Sequence, residues 1–196
     1  MIIPFHALPI SREETDFRLN KDEFNFILNE IEYRDSKSYS GGVKLSKGEN
    51  ILEHQSMKRI NKFIIDNVIN FKNNTLQVED DFIMTQSWTT INDKGNSHHQ
   101  HNHPNTILSC VYYARASSGD FVIKTPSSRL QEGFNLSYKI KQQNIFNSNA
   151  WSCEVKDGVL IIFPGHLNHF SLPNENDESR IMIGANFFLK KIREVL

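Results

Sequence analysis

The spacing of apolar positions divides the chain into a helical first part and a β-rich remainder. In the first part, apolar residues recur every three or four positions, which is the period of one helix face. Asn20 and Glu23 have the spacing of a helix N-cap and its reciprocal partner, so they predict a helix start. The apolar stripe of this first helix is Phe24, Ile27, Leu28 and Ile31. A second helix is predicted over about residues 50–71, with the stripe Met57, Ile60, Ile64, Val68 and Phe71.

From residue 82 onward, short runs rich in β-branched and aromatic residues predict strands. The runs are 82–91, 106–114, 121–123, 151–155, 159–163, 169–172 and 181–189. Gly, Asn, Asp and Pro separate these runs, which is typical of an antiparallel sandwich or barrel. Asp157 and Gly158 lie between two apolar runs and predict a hairpin there.

Length and composition narrow the class of protein. The chain has 196 residues, of which 38% are hydrophobic and 23% are charged, and this favours a soluble globular protein. We predict a single domain over residues 1–196, with a helical part over 1–75 and a β core over 80–190. The polar stretch Ser127–Asn149 predicts a long loop over a site.

Charge and cysteine content indicate partners and location. The formal net charge of −1 predicts no broad basic surface, so nucleic acid is not an expected partner. No apolar run approaches the ~18 residues of a membrane span, and the opening residues make a poor signal peptide. Cys110 and Cys153 form no metal-like pair and predict no disulfide framework. We therefore expect a cytoplasmic protein, or one of the host cytoplasm if the chain is viral; the oligomeric state is left open.

Half of the eight histidines lie within residues 98–103. In one interpretation this segment is a solvated loop in which no particular histidine matters. It lies between two predicted strands, however, and side chains at positions i and i+2 of an extended chain share a face. His101 and His103 can therefore present two imidazoles to one metal ion. His99 has the same parity, so the pattern leaves the register of the ligand pair open.

A third histidine follows about 65 residues later. The apolar run 159–163 predicts a buried strand, and His169 begins the next one after a Pro-Gly turn. With His101 and His103, His169 would complete a set of three imidazoles that leaves positions open for substrate, co-substrate and oxygen. Imidazole suits iron, zinc, copper and nickel alike, so the residue type does not choose the metal.

Arg180 begins an apolar strand that we predict to pair antiparallel with the strand of His169. An arginine at this place has two interpretations. Its guanidinium either remains in water at the strand end or grips a carboxylate, for which its planar fork is better suited than a lysine ammonium.

These residues resemble the metal and co-substrate motifs of the Fe(II)- and 2-oxoglutarate-dependent oxygenases. In that family a His-x-Asp or His-x-Glu pair is followed by a distant His and then an Arg, and His101, His103, His169 and Arg180 stand in this order. The strand Cys110-Val-Tyr-Tyr113 is similar to the one that follows the motif in prolyl hydroxylases. The His-x-His-Pro form with the two tyrosines is most similar to a group of small phage and bacterial oxygenases, and the likeness covers about residues 82–189.

The resemblance implies a mainly β fold, the double-stranded β-helix of the jelly-roll and cupin type, with N-terminal helices packed on it. It implies Fe(II) on His101, His103 and His169. It also implies 2-oxoglutarate held by Arg180, Tyr113 and Asn92. The reaction implied is hydroxylation, by O2, of a peptide such as peptidyl proline or of a small molecule. Two departures are visible: His103 stands where the family has a carboxylate, and Met182 stands where many relatives have serine or threonine.

Two other functions fit part of the pattern. A cupin-type metal protein that does not use 2-oxoglutarate would account for Gly95 before the histidine pair and for Gly158, Pro164 and His169 after it. The sequence lacks the glutamate that the cupin motif requires, and this interpretation leaves Arg180 unexplained. A non-catalytic binding or structural module on the same fold is the third interpretation.

Overall fold

A computed structural model describes residues 8–35, 42–124, 139–144 and 147–192 of the chain. Most of the stretch 127–149, predicted as a long loop over a site, lies outside these residues. None of the helices within the described ranges combines the length and apolar character that crossing a bilayer requires.

Two helices lie in the N-terminal part. Asn20 caps α1 (Lys21–Asn25) as predicted, because its side chain accepts from the backbone N–H of Glu23 (2.9 Å) and the Glu23 carboxylate accepts from that of Asn20 (2.7 Å). The chain then continues through a π-helical turn, Phe26–Glu30. The second predicted helix, over residues 50–71, begins later than expected. Two 3₁₀ turns, Ile51–Glu53 and Gln55–Met57, precede α2 (Lys58–Phe71), and a π-helical turn, Lys72–Leu76, follows it.

Ten strands form two sheets in the described part of the chain. They are β1 Ser11–Glu14, β2 Tyr33–Asp35, β3 Lys44–Ser46, β4 Phe82–Asn92, β5 Leu108–Arg115, β6 Phe121–Lys124, β7 Ala150–Cys153, β8 Val159–Pro164, β9 His169–Ser171 and β10 Arg180–Leu189. The larger sheet has the order β1-β8-β5-β10-β4-β3-β2, and the smaller has the order β7-β6-β9. The seven strands predicted from residue 82 onward are confirmed. The sequence pattern missed β1, β2 and β3, since they are short and largely polar. β1 and β2 are the two edge strands of the larger sheet, where such strands are common.

The hairpin predicted at Asp157 and Gly158 is wrong. β7 pairs with β6 of the smaller sheet, whereas β8 pairs with β5 of the larger sheet, so this turn links the two sheets. The turn is anchored to the end of β5. The Asp157 carboxylate accepts from the backbone N–H of Ala116 (2.7 Å), and the N–H of Gly158 donates to the carbonyl of Tyr113 (2.8 Å). Tertiary contacts therefore override the local hairpin signal.

The predicted pairing of the His169 strand with the Arg180 strand is also wrong. β9 pairs with β6, while β10 lies between β4 and β5, so the two strands belong to different sheets. Because the sheets face each other, both strands still contribute to the space between them.

The larger sheet separates two apolar cores. On one face, α2 packs through Ile60 and Ile64 against residues of β5 and β10 such as Tyr112 and Ile183. The opposite face meets the smaller sheet in a second cluster that includes Tyr113, Ile161, Phe163, Met182, Phe121 and Ile123. Two facing antiparallel sheets with N-terminal helices packed outside confirm the predicted fold class.

Candidate active site

Backbone pairing brings together three histidines that are distant in sequence. His101 and His169 form a β-bridge. The N–H of His101 donates to the carbonyl of His169 at 3.0 Å, and the N–H of His169 donates to the carbonyl of His101 at 2.8 Å. Residues that exchange two such bonds lie directly opposite each other. The N–H of His103 donates to the carbonyl of Gly165 at 2.8 Å, which extends the contact by two residues. The segment 101–103 thus lies at the edge of the smaller sheet, beside β9.

The imidazoles of His101, His103 and His169, hereafter the inner set, lie against one another. Ring centroids are 4.3 Å apart for His101 and His169, 5.0 Å for His103 and His169, and 5.1 Å for His101 and His103. One nitrogen from each ring lies within 4.8 Å of the other two, which is a spacing that can hold a metal ion. The structure therefore brings together the three histidines that the sequence proposed as ligands.

Two rings of the inner set are oriented by carbonyl groups two residues earlier in the chain. Nδ1 of His101 lies 2.8 Å from the carbonyl oxygen of His99, and Nδ1 of His169 lies 2.8 Å from that of Leu167. A carbonyl oxygen only accepts, so each Nδ1 carries the hydrogen and each Nε2 keeps a free lone pair. This tautomer directs Nε2 to a metal ion, and the backbone bond fixes the ring plane.

Burial keeps the inner set uncharged at neutral pH. Burial, with a smaller contribution from the positive form of His101, lowers the pKa of His169 to about 2 and that of His103 to about 4. Burial also lowers the pKa of His101, although its bond to the His99 carbonyl opposes the shift. Because a metal ion binds only the neutral imidazole, these environments favour coordination without loss of a proton.

A narrow cavity of about 40 Å³ adjoins the inner set between the two sheets. Its apolar wall includes Trp88, Val111, Phe163 and Met182. The Trp88 ring lies directly over Gly184, where a Cβ atom would approach the indole to 2.5 Å. Glycine at this position therefore allows Trp88 to lie 5.2 Å, centroid to centroid, from His103 and to close the cavity on that side.

Arg180 is 1% exposed and is surrounded by neutral oxygen atoms. Nη1 donates to the carbonyls of Ser118 (3.1 Å), Gly119 (2.6 Å) and Leu172 (3.1 Å), and Nη2 donates to the Ser171 hydroxyl (2.9 Å). A Cβ at Gly119, whose φ is +80°, would lie 1.8 Å from Nη1, so only glycine permits this contact. Within the described ranges, no carboxylate forms an ion pair with Arg180. The guanidinium is a buried positive charge without a negative partner, which is costly.

The other two predicted co-substrate residues lie beside Arg180. Asn92 is its Cα partner across β4 and β10, and Tyr113 on β5 is opposite Met182. Among the described residues, no hydrogen-bond partner is found for the Tyr113 hydroxyl, the Asn92 side-chain amide or Nε of Arg180, although all are buried. Leaving a buried polar group unpaired costs about 1–3 kcal/mol. Three such groups side by side indicate a site that receives a polar ligand.

Arg180, Asn92 and Tyr113 lie next to the narrow cavity, further along the strands that form its wall. Asn92 is two residues from Thr90, and Arg180 is two residues from Met182, and both of these neighbours line the cavity. Since residues i and i+2 of a strand share a face, Arg180, Asn92 and Tyr113 continue the same surface. Met182 lies along β10 between the cavity and Arg180. Burial raises the pKa of Tyr113, so its phenol stays neutral. Burial also lowers the pKa of Arg180, but the guanidinium remains charged because the ordinary pKa of arginine lies far above neutral.

A wider pocket of about 260 Å³ opens outside the inner set and shares His98, His101, His103 and Trp88 with the narrow cavity. Its outer wall includes Arg34, Leu45, Glu49, Gln86, His99 and Asn186. One chain of hydrogen bonds supports this wall. The Ser109 hydroxyl donates to Asn186 (2.7 Å), the Asn186 amide to Gln86 (3.0 Å), and the Gln86 amide to the Glu49 carboxylate (3.1 Å).

Sequence reasoning assigned no role to His98 or Glu49. His98 belongs to the same histidine run as the inner set, so the run itself was a signal. Glu49 lies 37 residues before its partner Gln86 and carries no motif, so only the fold could reveal its place.

A sequence comparison identifies a family. Residues 86–186, slightly more than half of the chain, match the model of a family described as "Putative 2OG-Fe(II) oxygenase". No curated protein gives a significant match to the sequence.

Solved structures share the fold at low sequence identity. A prolyl-4-hydroxylase of Pseudomonas putida is 13% identical, with a TM-score of 0.60 over 94% of this chain and 95% of that one. HygX from Streptomyces hygroscopicus, solved with nickel, 2-oxoglutarate and hygromycin B, is 10% identical, with a TM-score of 0.64 over 95% and 85%. A prolyl hydroxylase from Trichoplax adhaerens, in complex with a hypoxia inducible factor peptide fragment, is 12% identical, with a TM-score of 0.58 over 86% and 76%. These likenesses establish a common fold.

Proposed function

The chain belongs to the family of 2-oxoglutarate- and Fe(II)-dependent oxygenases, and we propose that His101, His103 and His169 hold its iron. Enzymes of this family use Fe(II), 2-oxoglutarate and O2, so the chain is a 2-oxoglutarate-dependent dioxygenase. The cupin-type protein without 2-oxoglutarate and the non-catalytic module are therefore set aside.

The residues of the inner set fit a divalent iron. Three ring nitrogens lie within 4.8 Å of one another, and two rings are held in the tautomer that leaves Nε2 free. Three protein ligands leave coordination positions for co-substrate and oxygen. A neutral His103 in place of a carboxylate leaves the positive charge of the ion uncompensated by the protein. This difference favours an anionic co-substrate as the remaining ligand.

The surroundings of Arg180 fit the far carboxylate of 2-oxoglutarate, and this is the observation that carries the proposal. Arg180 is a buried cation that pairs with no acidic group of the described residues. The Tyr113 hydroxyl and the Asn92 amide, which have no hydrogen-bond partner among those residues, add two further donors. A carboxylate can accept from all three, and charge-assisted hydrogen bonds of this kind are the strong ones. A dicarboxylate that extends from the inner set to Arg180 requires Met182, which is unbranched and adaptable, to move aside.

When bound, Fe(II) and 2-oxoglutarate supply the oxidation of a C–H bond by O2, with succinate and CO2 as co-products. The residues of this chain orient and shield that chemistry. Carbonyl bonds at Nδ1 hold the planes of His101 and His169. Trp88 and Phe163 give the cavity an apolar wall, which disfavours water beside the reacting groups.

We place the substrate, a small molecule or a peptide segment, in the outer pocket. Its volume of about 260 Å³ and its mixed wall suit a ligand that has both polar and apolar groups. Glu49, held by Gln86, and Arg34 offer charges of opposite sign at the rim. Trp88 presents its ring where the outer pocket meets the inner set.

The experiment that tests the proposal compares His169→Ala with His166→Ala. His166 is exposed and lies three residues earlier in the same turn, so it controls for a local change in the chain. Succinate formation that depends on Fe(II), 2-oxoglutarate and O2 is measured by NMR, and anaerobic absorption of the Fe(II)–2-oxoglutarate chelate gives a readout that needs no substrate. We expect both signals to fall by more than about 100-fold in His169→Ala, since loss of a ligand exceeds the loss of an outer partner. Full signals in His169→Ala would reject the assignment.

A further inference from the structure

A second group of three histidines lies immediately outside the inner set and shares one member with it. His98, His99 and His101, hereafter the outer set, each present one ring nitrogen within 4.8 Å of the other two. Their ring centroids are 4.4 Å apart for His98 and His101, 5.1 Å for His99 and His101, and 5.2 Å for His98 and His99. The outer set is therefore as compact as the inner set.

The two sets follow one another from the mouth of the site to its interior. His99 lines only the outer pocket, and His169, which is 4% exposed, lines only the narrow cavity. His98, His101 and His103 line both spaces. An ion that enters through the outer pocket meets His99 and His98 before it reaches His169.

The outer set is held in place by the sheet that carries the inner set. The N–H of His98 donates to the Ser171 hydroxyl (2.9 Å), and the N–H of Ser171 donates to the carbonyl of His98 (3.2 Å). His101 is held by its bridge to His169. Two of the three members are thus fixed to β9, which distinguishes this group from histidines on a solvated loop.

The shared histidine makes the two sets alternatives. Nδ1 of His101 is committed to the carbonyl of His99, so only Nε2 can bind an ion, and it binds one ion at a time. An ion on the outer set that retains His101 can exchange His98 and His99 for His103 and His169. Such an exchange never requires the ion to leave the protein.

We propose that His98, His99 and His101 form an entry site that captures a divalent transition-metal ion and transfers it to the inner set through the shared His101. This proposal rests on the proposed role of the inner set. Its ligand is a first-row ion that accepts imidazole, such as Fe(II), Co(II), Ni(II) or Zn(II), because the site offers nitrogen donors and no thiolate.

The test is an anaerobic titration of the metal-free protein with Co²⁺, whose visible absorption reports ligation. His169→Gln breaks the inner set alone, and His98→Gln with His99→Gln breaks the outer set alone. The triple variant, which combines His98→Gln, His99→Gln and His169→Gln, breaks both sets. His166→Gln is the matched control. His103→Gln breaks the inner set a second time, at a position that is half-buried where His169 is fully buried, and circular dichroism verifies the fold of every variant.

We expect His169→Gln and His103→Gln still to bind one Co²⁺, and the triple variant to bind it more than about 100-fold more weakly, since two ligands are lost. In stopped-flow mixing, we expect the variant that lacks His98 and His99 to reach full occupancy but to lose the fast phase of Co²⁺ uptake. His166→Gln should behave like the unaltered chain.

The proposal is overturned if the variants with a broken inner set bind no Co²⁺, or if they bind it equally well after His98 and His99 are replaced. It is also overturned if uptake keeps its fast phase without these two histidines. Failure of the proposed function has a different signature. The variant that lacks His98 and His99 would then bind no Co²⁺ at equilibrium, while His169→Gln would still bind it on the outer set.

Discussion

Adjacent residues on β5 and β10 show how differently the two faces of the larger sheet are built. Tyr112 faces α2, packs edge-on against the rings of Phe17 and Phe63, and donates its hydroxyl to the carbonyl of Phe17 at 2.8 Å. Its neighbour Tyr113 faces the smaller sheet, is equally buried, and has a hydroxyl without a partner among the described residues.

The same contrast recurs on β10. Ile181 and Ile183 belong to the apolar core under α2, whereas Arg180 and Met182 belong to the face that carries the site. The helix side has the satisfied packing that stability alone requires. The site side retains a buried charge and donors without partners among the described residues. These groups cost stability, and they are the groups that we propose a ligand to satisfy. The site face is therefore distinguished by its buried polar groups that have no partner among the described residues.

The largest effect is expected from Arg180→Gln, compared with Ile181→Val on the opposite face. Loss of the charged donor removes charge-assisted bonds worth about 1.5–3 kcal/mol, so the affinity for 2-oxoglutarate should fall by about 100-fold. Ile181→Val should lower the free energy of unfolding by about 0.5–1.5 kcal/mol and leave the affinity unchanged. Calorimetric titration of the Zn²⁺-loaded protein with 2-oxoglutarate measures the affinity of both variants, and denaturant unfolding measures the stability of Ile181→Val. Equal affinity in Arg180→Gln would remove the distinction between the two faces.

A smaller effect concerns the pH dependence of stability in the metal-free protein. Histidine in the unfolded chain titrates near 6.5, whereas the folded pKa is about 4 for His103 and about 2 for His169. Between these values the unfolded chain binds more protons, so stability rises with pH and is lost as the pH falls below about 6.5. His103→Gln should reduce this slope by at most about 1.4 kcal/mol per pH unit.

Thermal unfolding between pH 5 and pH 8 measures that slope. Tyr112→Phe is the control from the helix side, and it should lower the melting temperature equally at every pH. A slope that His103→Gln does not change would mean that His103 is not held neutral by the fold.

The smallest effects are expected from the two tyrosines, which sharpen the comparison most directly. Tyr112→Phe leaves the Phe17 carbonyl without its donor and should cost about 1 kcal/mol of unfolding free energy, with no change in the affinity for 2-oxoglutarate. Tyr113→Phe removes a hydroxyl for which the described residues of the ligand-free protein provide no partner. It should therefore maintain or raise stability while weakening 2-oxoglutarate binding by roughly 5–10-fold. Denaturant unfolding and calorimetry on both variants provide the data, and interchanged outcomes would show that the faces have been assigned the wrong way round.

Local signals in the sequence predicted the elements better than their pairing. The Asn20–Glu23 capping box and the strands from residue 82 onward follow from neighbouring residues, and both are present. The short polar strands β1 to β3 contain too few apolar residues for an alternating pattern to be seen. β1 and β2 are edge strands, which need few apolar residues, and β3 has only three residues. The Asp157–Gly158 turn has ordinary hairpin chemistry, yet its flanking strands join different sheets.

By itself, the sequence determined which side chains can do chemistry and that His101 and His103 share a face, because both facts depend on residue type and on the two-residue period of a strand. The tertiary structure alone decided that His169 lies opposite His101 and that Tyr113 and not Tyr112 faces the site. It also decided that the contacts of Arg180 with the described residues are to neutral oxygens. The physical reason is that alternation assigns side chains to two faces without saying which face turns inward. That choice is made by long-range packing between sheets and helix.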